Sequence, residues 1–238
     1  MGIAKLKSLQ TLSNFVVGKD KIVDLMNLES LQGTLCISHL QNMLDANDAR
    51  NVNLKGKKNL DTLVMKWNDD LQDVGVATDI LDMLQPHGMM KTLSIVGFVG
   101  AKFPTWLGDP SSSFSNMVDL RIERCGKCMF LPAFGQLPSL KCVIIKRMDG
   151  VRSVGLEFYG EREQPFQSLV KLCFEDMHEW QDWSPCNKDF PCLHELSISK
   201  CPNCKENCPI ISRHWKNFPF INVSIWLFQF QAFQCFKN

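Results

Sequence analysis

The chain has 238 residues, of which 45% are hydrophobic and 21% are charged, and its formal net charge is +1. It is long enough to bury a sizeable core, and its composition is ordinary for a globular protein. The near-zero charge excludes a global electrostatic attraction to nucleic acid or to a membrane surface. Eleven cysteines occur and no basic, apolar leader follows Met1, so we expect reduced thiols in a cytoplasmic or nuclear protein.

Two stretches with the same spacing of apolar residues define a repeated unit. Residues 117–125 read Met-Val-Asp-Leu-Arg-Ile-Glu-Arg-Cys, and residues 193–201 read Leu-His-Glu-Leu-Ser-Ile-Ser-Lys-Cys. Both fit apolar-x-x-Leu-x-Ile-x-x-Cys, the core of a leucine-rich repeat, in which a short strand precedes a turn built around Cys or Asn. In such a strand the Leu and Ile side chains point inward, and the residues between them point to the opposite face.

The same strand core recurs along the chain. Its first inward residue occurs seven times, as Leu35, Leu63, Leu93, Leu120, Val143, Leu172 and Leu196. Its second inward position is apolar in every copy, as Ile37, Met65, Ile95, Ile122, Ile145, Phe174 and Ile198. The turn position, five residues after the first inward residue, carries Asn or Cys only at Asn68, Cys125 and Cys201. The mean spacing of about 27 residues predicts an α/β repeat solenoid, a leucine-rich repeat horseshoe with a parallel concave sheet and an irregular convex side.

The links between the strands predict the elements of the convex side. A helix is predicted within residues 44–54, with Asp45 or Asn47 as its N-cap. A second helix is predicted over residues 78–84, with Thr78 or the next residue as its N-cap. Later links contain turn residues that favour extended or 3₁₀ connectors, at Phe103-Pro104, Gly108–Ser113, Leu131-Pro132 and Leu137–Ser139.

The repeat pattern also divides the chain. Residues 1–204 are predicted to form one leucine-rich repeat domain of about eight or nine irregular repeats, because residues 6–31 keep the leucine spacing and residues 15–17 predict an additional strand. Residues 205–238 are predicted to be a non-repeat C-terminal tail. The charge-free run 217–236 leaves three interpretations open: a membrane helix, a poorly ordered or aggregation-prone segment, or a sheet-like cover.

Several longer stretches of the sequence resemble one family. In chain order they are Gly2-Ile-Ala-Lys-Leu-Lys-Ser-Leu-Gln-Thr-Leu12, Phe15-Val-Val-Gly-Lys19, Leu35-x-Ile-x-x-Leu40, Leu60-x-x-Leu-x-x-x-Trp67, Leu81-x-x-Leu-Gln-Pro-His87, Phe103-Pro-x-Trp-Leu-Gly-Asp-Pro110, Cys125-x-x-Cys128, Gly135-Gln-Leu-Pro-Ser-Leu140, Met148-x-Gly-Val151 and Glu157-Phe-Tyr-Gly160. Together they cover about residues 1–204. They resemble the leucine-rich repeat region of plant coiled-coil-type nucleotide-binding leucine-rich repeat (NB-LRR) disease-resistance proteins.

The resemblance implies a protein-recognition and regulatory module of the defense response rather than an enzyme. In that family such a region folds back on the nucleotide-binding switch, and its repeats recognise a pathogen effector or a modified host protein. The implied partners are therefore a pathogen effector, a guarded host protein or the nucleotide-binding domain of a complete receptor, with no nucleic acid and no membrane.

The sequence also departs from the family pattern. It contains no Gly-x-x-x-x-Gly-Lys-Ser/Thr loop and no coiled-coil heptads, and the tail differs from the further repeats that the family would continue with. We therefore expect a fragment of a receptor. The alternative interpretation is a truncated, non-signalling gene remnant or decoy without independent activity.

Other kinds of site are less well supported by the residues. Two clusters have a spacing that suits zinc, namely Cys125-x-x-Cys128 and Cys201-x-x-Cys204-x-x-x-Cys208, the second with Cys192 and His194 nearby. Because the first Cys of each cluster is the inward turn residue of a repeat, we interpret these thiols as structural and expect no metal or cofactor.

The five histidines are scattered among different repeats without a nucleophile signature, so no catalytic residue is predicted. The basic run 55–58 is interpreted as a solvated loop rather than a nucleic-acid site.

The remaining candidate site is the concave face of the predicted sheet, where outward side chains of neighbouring repeats lie side by side. On this face we place Lys66, Val96, Arg121, Glu123, Lys146, Glu175 and Ser199, with Trp67 at its edge. Mixed charge and an exposed aromatic side chain suit protein recognition. We predict that the face as a whole, rather than any single residue, binds a protein partner.

Overall fold

The computed structural model describes residues 8–18, 22–68, 72–109, 114–184 and 190–204, and the backbone of residues 222–226. This part of the chain contains eleven strands: β1 (Asn14–Val16), β2 (Gln32–Ser38), β3 (Asn59–Lys66), β4 (Thr92–Val96), β5 (Asp119–Glu123), β6 (Cys142–Lys146), β7 (Ser153–Val154), β8 (Lys171–Glu175), β9 (Asp182–Trp183), β10 (Glu195–Ser199) and β11 (Asn222–Trp226). Strands β7 and β9 pair with each other, and the other nine form one sheet in chain order. Every neighbouring pair in both sheets is parallel.

The seven strand cores align in the register that the sequence predicts. Leu35 pairs with Leu63, and the pairing continues through the first inward residue of each following strand to Leu196. The second inward positions pair in the same way, and both columns are buried. Burying one such side chain contributes about 1.5–3 kcal/mol, so each unit is held to this register by its own core residues. The predicted leucine-rich repeat solenoid is confirmed.

Short helices form a layer behind the N-terminal strands. They are α1 (Ile22–Met26), α2 (Ala46–Asn51) and α3 (Val74–Met83). α2 contacts both α1 and α3, and the buried residues of α2 and α3 share one core with the inward strand residues. Later links instead contain 3₁₀ turns, as their Pro and Gly residues predict, at Thr105–Leu107 and Phe134–Gln136, and a further one lies at Leu156–Phe158.

The N-cap of α2 is one of the two predicted residues, whereas the N-cap of α3 differs from the prediction. Asp45 caps α2, because its side chain accepts a hydrogen bond from the Asn47 backbone N–H at 2.8 Å. The predicted start of α3 near Thr78 is wrong, since the helix begins at Val74 and Asp73 is its N-cap. The Val-Gly-Val opening of α3 has low helix propensity, but two backbone N–H groups donate to the Asp73 carboxylate at 2.8 and 3.1 Å.

A left-handed residue ends the strand core in six of the seven units. These residues lie four positions after the first inward residue, and they are His39, Gly97, Arg124, Arg147, Asp176 and Lys200, with φ between 52° and 71°. The left-handed backbone interrupts the inward–outward alternation, so the following residue turns into the core at Leu40, Phe98, Cys125, Met148, Met177 and Cys201. For residues other than glycine this conformation costs about 1–2 kcal/mol, which core burial offsets.

One further strand lies in the segment predicted as a non-repeat tail. β11 pairs with β10 so that Val223 aligns with Leu196 and Ile225 aligns with Ile198. Val223 and Ile225 have the apolar-x-apolar pattern of a strand core, but no strand is predicted for them from the sequence. The other residues of 205–238 lie outside the described residues, and the division of the chain at residue 204 stays a prediction.

The buried imidazole of His87 makes the stability of the fold dependent on pH. Its Nδ1 accepts a hydrogen bond from the Met89 backbone N–H at 3.2 Å, and its Nε2 is buried beside the Leu60 backbone, an interaction that opposes the effect of burial. Burial lowers the pKa of His87 below the usual value of 6.5. The folded state therefore disfavours the protonated ring, and stability is lost as the pH falls through the unfolded-state pKa.

We expect the free energy of unfolding to fall between pH 7.5 and pH 5.5, and the His87→Gln variant to lose less over the same range. Urea unfolding at the two pH values measures both changes. The other histidines are common to the two proteins, so their titration cancels in the comparison. An equal pH dependence in wild type and variant would contradict this role of His87.

Candidate protein-binding face

Six outward side chains form a continuous row across the sheet. Each aligns with the next in the strand register, in the order Lys66, Val96, Glu123, Lys146, Glu175 and Ser199. We call these six residues the outer row. At about 4.8 Å between strands, the outer row extends over about 24 Å. All six are predicted face residues, and Arg121 lies two positions before Glu123 on the same side of β5. Val96 differs from the prediction of an exposed face residue, because its side chain is only 6% exposed.

Ion pairs fix the charged side chains of the C-terminal half of this face. The Arg121 Nε atom donates to Glu123 Oε2 at 3.0 Å. Lys146 forms an ion pair with Glu175, whose other carboxylate oxygen lies 3.3 Å from Lys200 Nζ. The hydrogen bond from Lys146 lowers the pKa of Glu175. Such exposed pairs contribute little to stability, up to about 1 kcal/mol each, but they hold the side chains in defined orientations.

The N-terminal half of the face carries few charges. The outward residues of β2 to β4 are Thr34, Cys36, Ser38, Thr62, Val64, Lys66, Thr92, Ser94 and Val96. Lys66 is the one charged side chain among these nine, and no carboxylate of the described residues lies within salt-bridge distance of it. The face therefore combines a small-residue half, whose one cation has no ion pair among the described residues, with a half whose charges are balanced and paired with one another.

Trp67 is not the exposed aromatic residue that the sequence analysis expected. Its side chain is 2% exposed, and its ring packs edge-on against Phe98 with a centroid distance of 5.1 Å. Trp67 does not adopt the left-handed conformation of the equivalent residues in the other units. The alternation of β3 therefore continues for one more residue, so that Leu63, Met65 and Trp67 all point inward. For the same reason Asn68, predicted as an inward turn residue, is exposed.

Charged residues of the turns extend the face beyond the strand ends, and the sequence analysis did not place them on it. Arg147 Nε lies 2.7 Å from Asp176 Oδ2, and Asp176 Oδ1 lies 3.4 Å from His178 Nε2. Arg124 Nε lies 3.9 Å from Glu123 Oε1. Strict alternation along the strand would turn Arg124, Arg147 and Asp176 into the core. Their left-handed backbone directs them outward instead.

Three of the cysteines predicted as structural, Cys125, Cys128 and Cys201, have protonated, buried thiols. The Cys128 and Cys201 Sγ atoms each contact a backbone carbonyl oxygen at 3.2 Å, those of Gly100 and Ser199. Burial raises the pKa of Cys125 to about 12 and that of Cys201 to about 11, so both stay protonated at neutral pH. Within the described ranges, no three His, Cys, Asp or Glu side chains are arranged to hold a metal ion. Cys208 lies outside the described residues.

The repeat length, the parallel sheet, the aligned inward columns and the exposed concave face define the chain as a leucine-rich repeat protein. The matched family is narrower than this class. Residues 22–148 match the R13L1/DRL21 leucine-rich repeats, and the chain belongs to this family. No helix in the part of the chain that the structure describes is long and apolar enough to cross a membrane.

The chain is similar to several plant disease resistance proteins. It is 41% identical to At3g14460 of Arabidopsis thaliana over 85% of this chain and 15% of the relative. Identity to the RPP13-like protein 1 of the same plant is 35%, over 82% of this chain and 20% of the relative. Identity to RGA2 of Solanum bulbocastanum is 32%, over 83% of this chain and 21% of the relative. The chain thus spans about a fifth or less of the length of these relatives, and the predicted resemblance to plant resistance proteins is confirmed.

A solved structure with the same fold is the leucine-rich repeat domain of the type III effector XopL. The TM-score is 0.55 over 94% of this chain and 79% of that domain, and the sequences are 16% identical. At this identity the likeness supports the fold alone.

Proposed function

We propose that this chain is a protein-recognition and regulatory module of plant defense whose concave face binds a protein partner. The partner is a pathogen effector, a guarded host protein or the nucleotide-binding domain of a complete receptor, and the binding takes place in the cytoplasm or nucleus. The observation that carries the proposal is the outer row, which places six residues in strict register, five of them partly exposed and Val96 buried, on a face without covering structure among the described residues. Membership of the family and similarity to resistance proteins support the biological setting.

The physical properties of the face suit protein binding. Its side chains stand on a rigid parallel sheet, and ion pairs orient several of them before a partner arrives. Binding therefore requires less ordering of side chains, which would otherwise cost about 0.5–1.5 kcal/mol for each one immobilised. The balanced charges favour a selective partner with a complementary pattern over nonspecific binding to any polyanion.

The size of the face indicates how the partner contacts it. Five-residue strands are about 17 Å long, so the six strands from β3 to β10 that carry the outer row offer a flat area of about 400 Å². A standard protein interface buries about 800 Å² of accessible surface on each partner. We therefore expect the partner to contact the rim of the sheet as well as its face.

The test is binding of the purified chain to the nucleotide-binding domain of a receptor that carries this family of repeats. Biolayer interferometry measures the affinity, and circular dichroism verifies that the chain is folded. We expect saturable binding with a micromolar or lower dissociation constant. A folded, monodisperse chain that gives no signal with this domain at the highest soluble concentration would contradict the regulatory part of the proposal.

A further inference from the structure

A groove beyond the C-terminal ends of β3 to β6 adjoins the outer row. It has a volume of about 460 Å³, and its lining includes Trp67, Gly97, Arg124, Gly126, Lys127 and Arg147. We call this groove the basic rim. Three cationic side chains line it, and Asp149 is the one carboxylate among the described residues that line it. Its positive charge is local, because the whole chain carries a formal net charge of only +1.

Among the described residues, two of the three cations have no carboxylate oxygen closer than 3.9 Å. Lys127 has no carboxylate within salt-bridge distance in the described ranges. Arg124 reaches Glu123 only at 3.9 Å, and the other oxygen of that carboxylate is occupied by Arg121. Arg147 differs, because its Nε donates to Asp176 at 2.7 Å, and this hydrogen bond raises the pKa of Arg147. The basic rim therefore has two cations available for an external anion and a third that is oriented beside them.

The floor of the groove consists of apolar side chains and of glycine backbone. Trp67, Phe98 and Val99 line it and are buried. Gly97 and Gly126 add no side chains, so the groove stays open between the cations. A Cβ added at Gly126 would have Asp149 Cβ, 3.9 Å away, as its nearest neighbour, so a larger residue at this position fits the backbone and narrows the groove.

We infer that the basic rim binds an acidic segment of the protein partner, with Arg124 and Lys127 contacting its carboxylates while the outer row contacts the rest of its surface. This inference deepens the proposed function and rests on it for the identity of the partner as a protein. Charge complementarity carries the inference, because charge-assisted hydrogen bonds to carboxylates are roughly twice as strong as neutral ones. Nucleic acid fits less well, since affinity for it depends on many phosphate contacts and Asp149 and Asp176 flank the few cations here.

The experiment uses fluorescein-labelled hexaglutamate peptide as the probe and measures its affinity for the whole chain by fluorescence anisotropy. Hexaglutamine and a thymidine hexanucleotide are the comparison probes. We expect hexaglutamate to bind more tightly than either, and the Arg124→Glu/Lys127→Glu variant to weaken it by about tenfold or more, since each 1.4 kcal/mol is a factor of ten. The Gly126→Gln variant narrows the groove without a change of charge, and we expect it to weaken the probe as well.

The matched control is Lys55→Glu/Lys58→Glu, which makes the same change of net charge in the loop between α2 and β3. We expect this control to retain the affinity within about twofold, because the loop does not line the basic rim. Equal losses in the two double variants, equal affinity for hexaglutamine, or tighter binding of the hexanucleotide would each overturn the inference. Rim-dependent hexaglutamate binding without binding to the nucleotide-binding domain would instead contradict the regulatory proposal and leave the rim as an acidic-peptide site.

Discussion

Replacing Trp183 with alanine is expected to lower the free energy of unfolding by about 3–5 kcal/mol, the range for removal of a buried aromatic side chain. Trp183 lies in β9 and is almost completely buried. Its ring lies 5.3 Å from that of Phe174 and 5.8 Å from that of Trp180, between centroids. Its Nε1 donates to the Tyr159 hydroxyl at 3.0 Å. Alanine therefore leaves a cavity and removes a buried hydrogen bond.

Urea unfolding followed by circular dichroism measures this loss without depending on tryptophan fluorescence. The Trp183→Phe variant keeps most of the volume, so we expect a smaller loss, which combines the missing indole N–H with a smaller cavity. Phe130→Ala is the matched control, since Phe130 is 62% exposed, and we expect a change within about 0.5 kcal/mol. If Trp183→Ala lowers the free energy of unfolding no more than Phe130→Ala does, the packing of Trp183 against Phe174 and Trp180 does not stabilise these repeats.

Replacing Gly97 with alanine is expected to cost about 2 kcal/mol or more. Gly97 adopts φ +71°, and a Cβ built there would lie 2.3 Å from the backbone oxygen of Trp67. The left-handed conformation alone costs about 1–2 kcal/mol for a residue with a Cβ, and the clash is with backbone, which cannot move without disturbing β3. The adjacent Trp67 N–H donates to the Val96 carbonyl at 2.9 Å, so we expect that bond to weaken as well.

Gly126→Ala supplies the control for this prediction. Gly126 does not have a left-handed φ, and its added Cβ has no neighbour closer than 3.9 Å. Alanine at a compatible glycine position stabilises by about 0.4–1 kcal/mol. Thermal or urea unfolding of the two variants should therefore give changes of opposite sign. Similar stabilities for the two variants would contradict the close packing of the β3 and β4 turns.

The two columns of inward residues were predictable, because every repeat must bury an apolar side chain at the same two strand positions. Leu35 and the six equivalent residues must all point inward, and a shift of register by one would expose the whole column. The outer row follows from the same alternation, so its six members were predictable as neighbours. Their ion pairs were not, because a pair such as Lys146 and Glu175 depends on the orientation of long side chains that alternation does not fix.

The wrong predictions lie where local backbone geometry determines which way a side chain points or where a helix begins. Whether the residue after a strand turns left-handed cannot be read from apolar spacing, so Trp67 was placed on the face and Asn68 in the core. For the same reason Arg124 and Arg147 were not predicted on the face, because strict alternation would turn them inward. At α3, the Asp73 cap overcame the weak propensity of Val74 and Gly75. Each error concerns a single turn or terminus, and none changes the register of the sheet.

The central claim, that the outer row binds a protein partner, is tested most directly by charge reversal at Lys66 with Lys55 as the control. Lys66 lies on the face without an ion pair among the described residues, so Lys66→Glu breaks no such salt bridge. Lys55→Glu makes the same change in the loop between α2 and β3. In the interferometry assay with the nucleotide-binding domain, we predict that Lys66→Glu weakens binding by about tenfold, whereas Lys55→Glu leaves it unchanged. Equal affinities for the two variants would contradict the assignment of binding to this face.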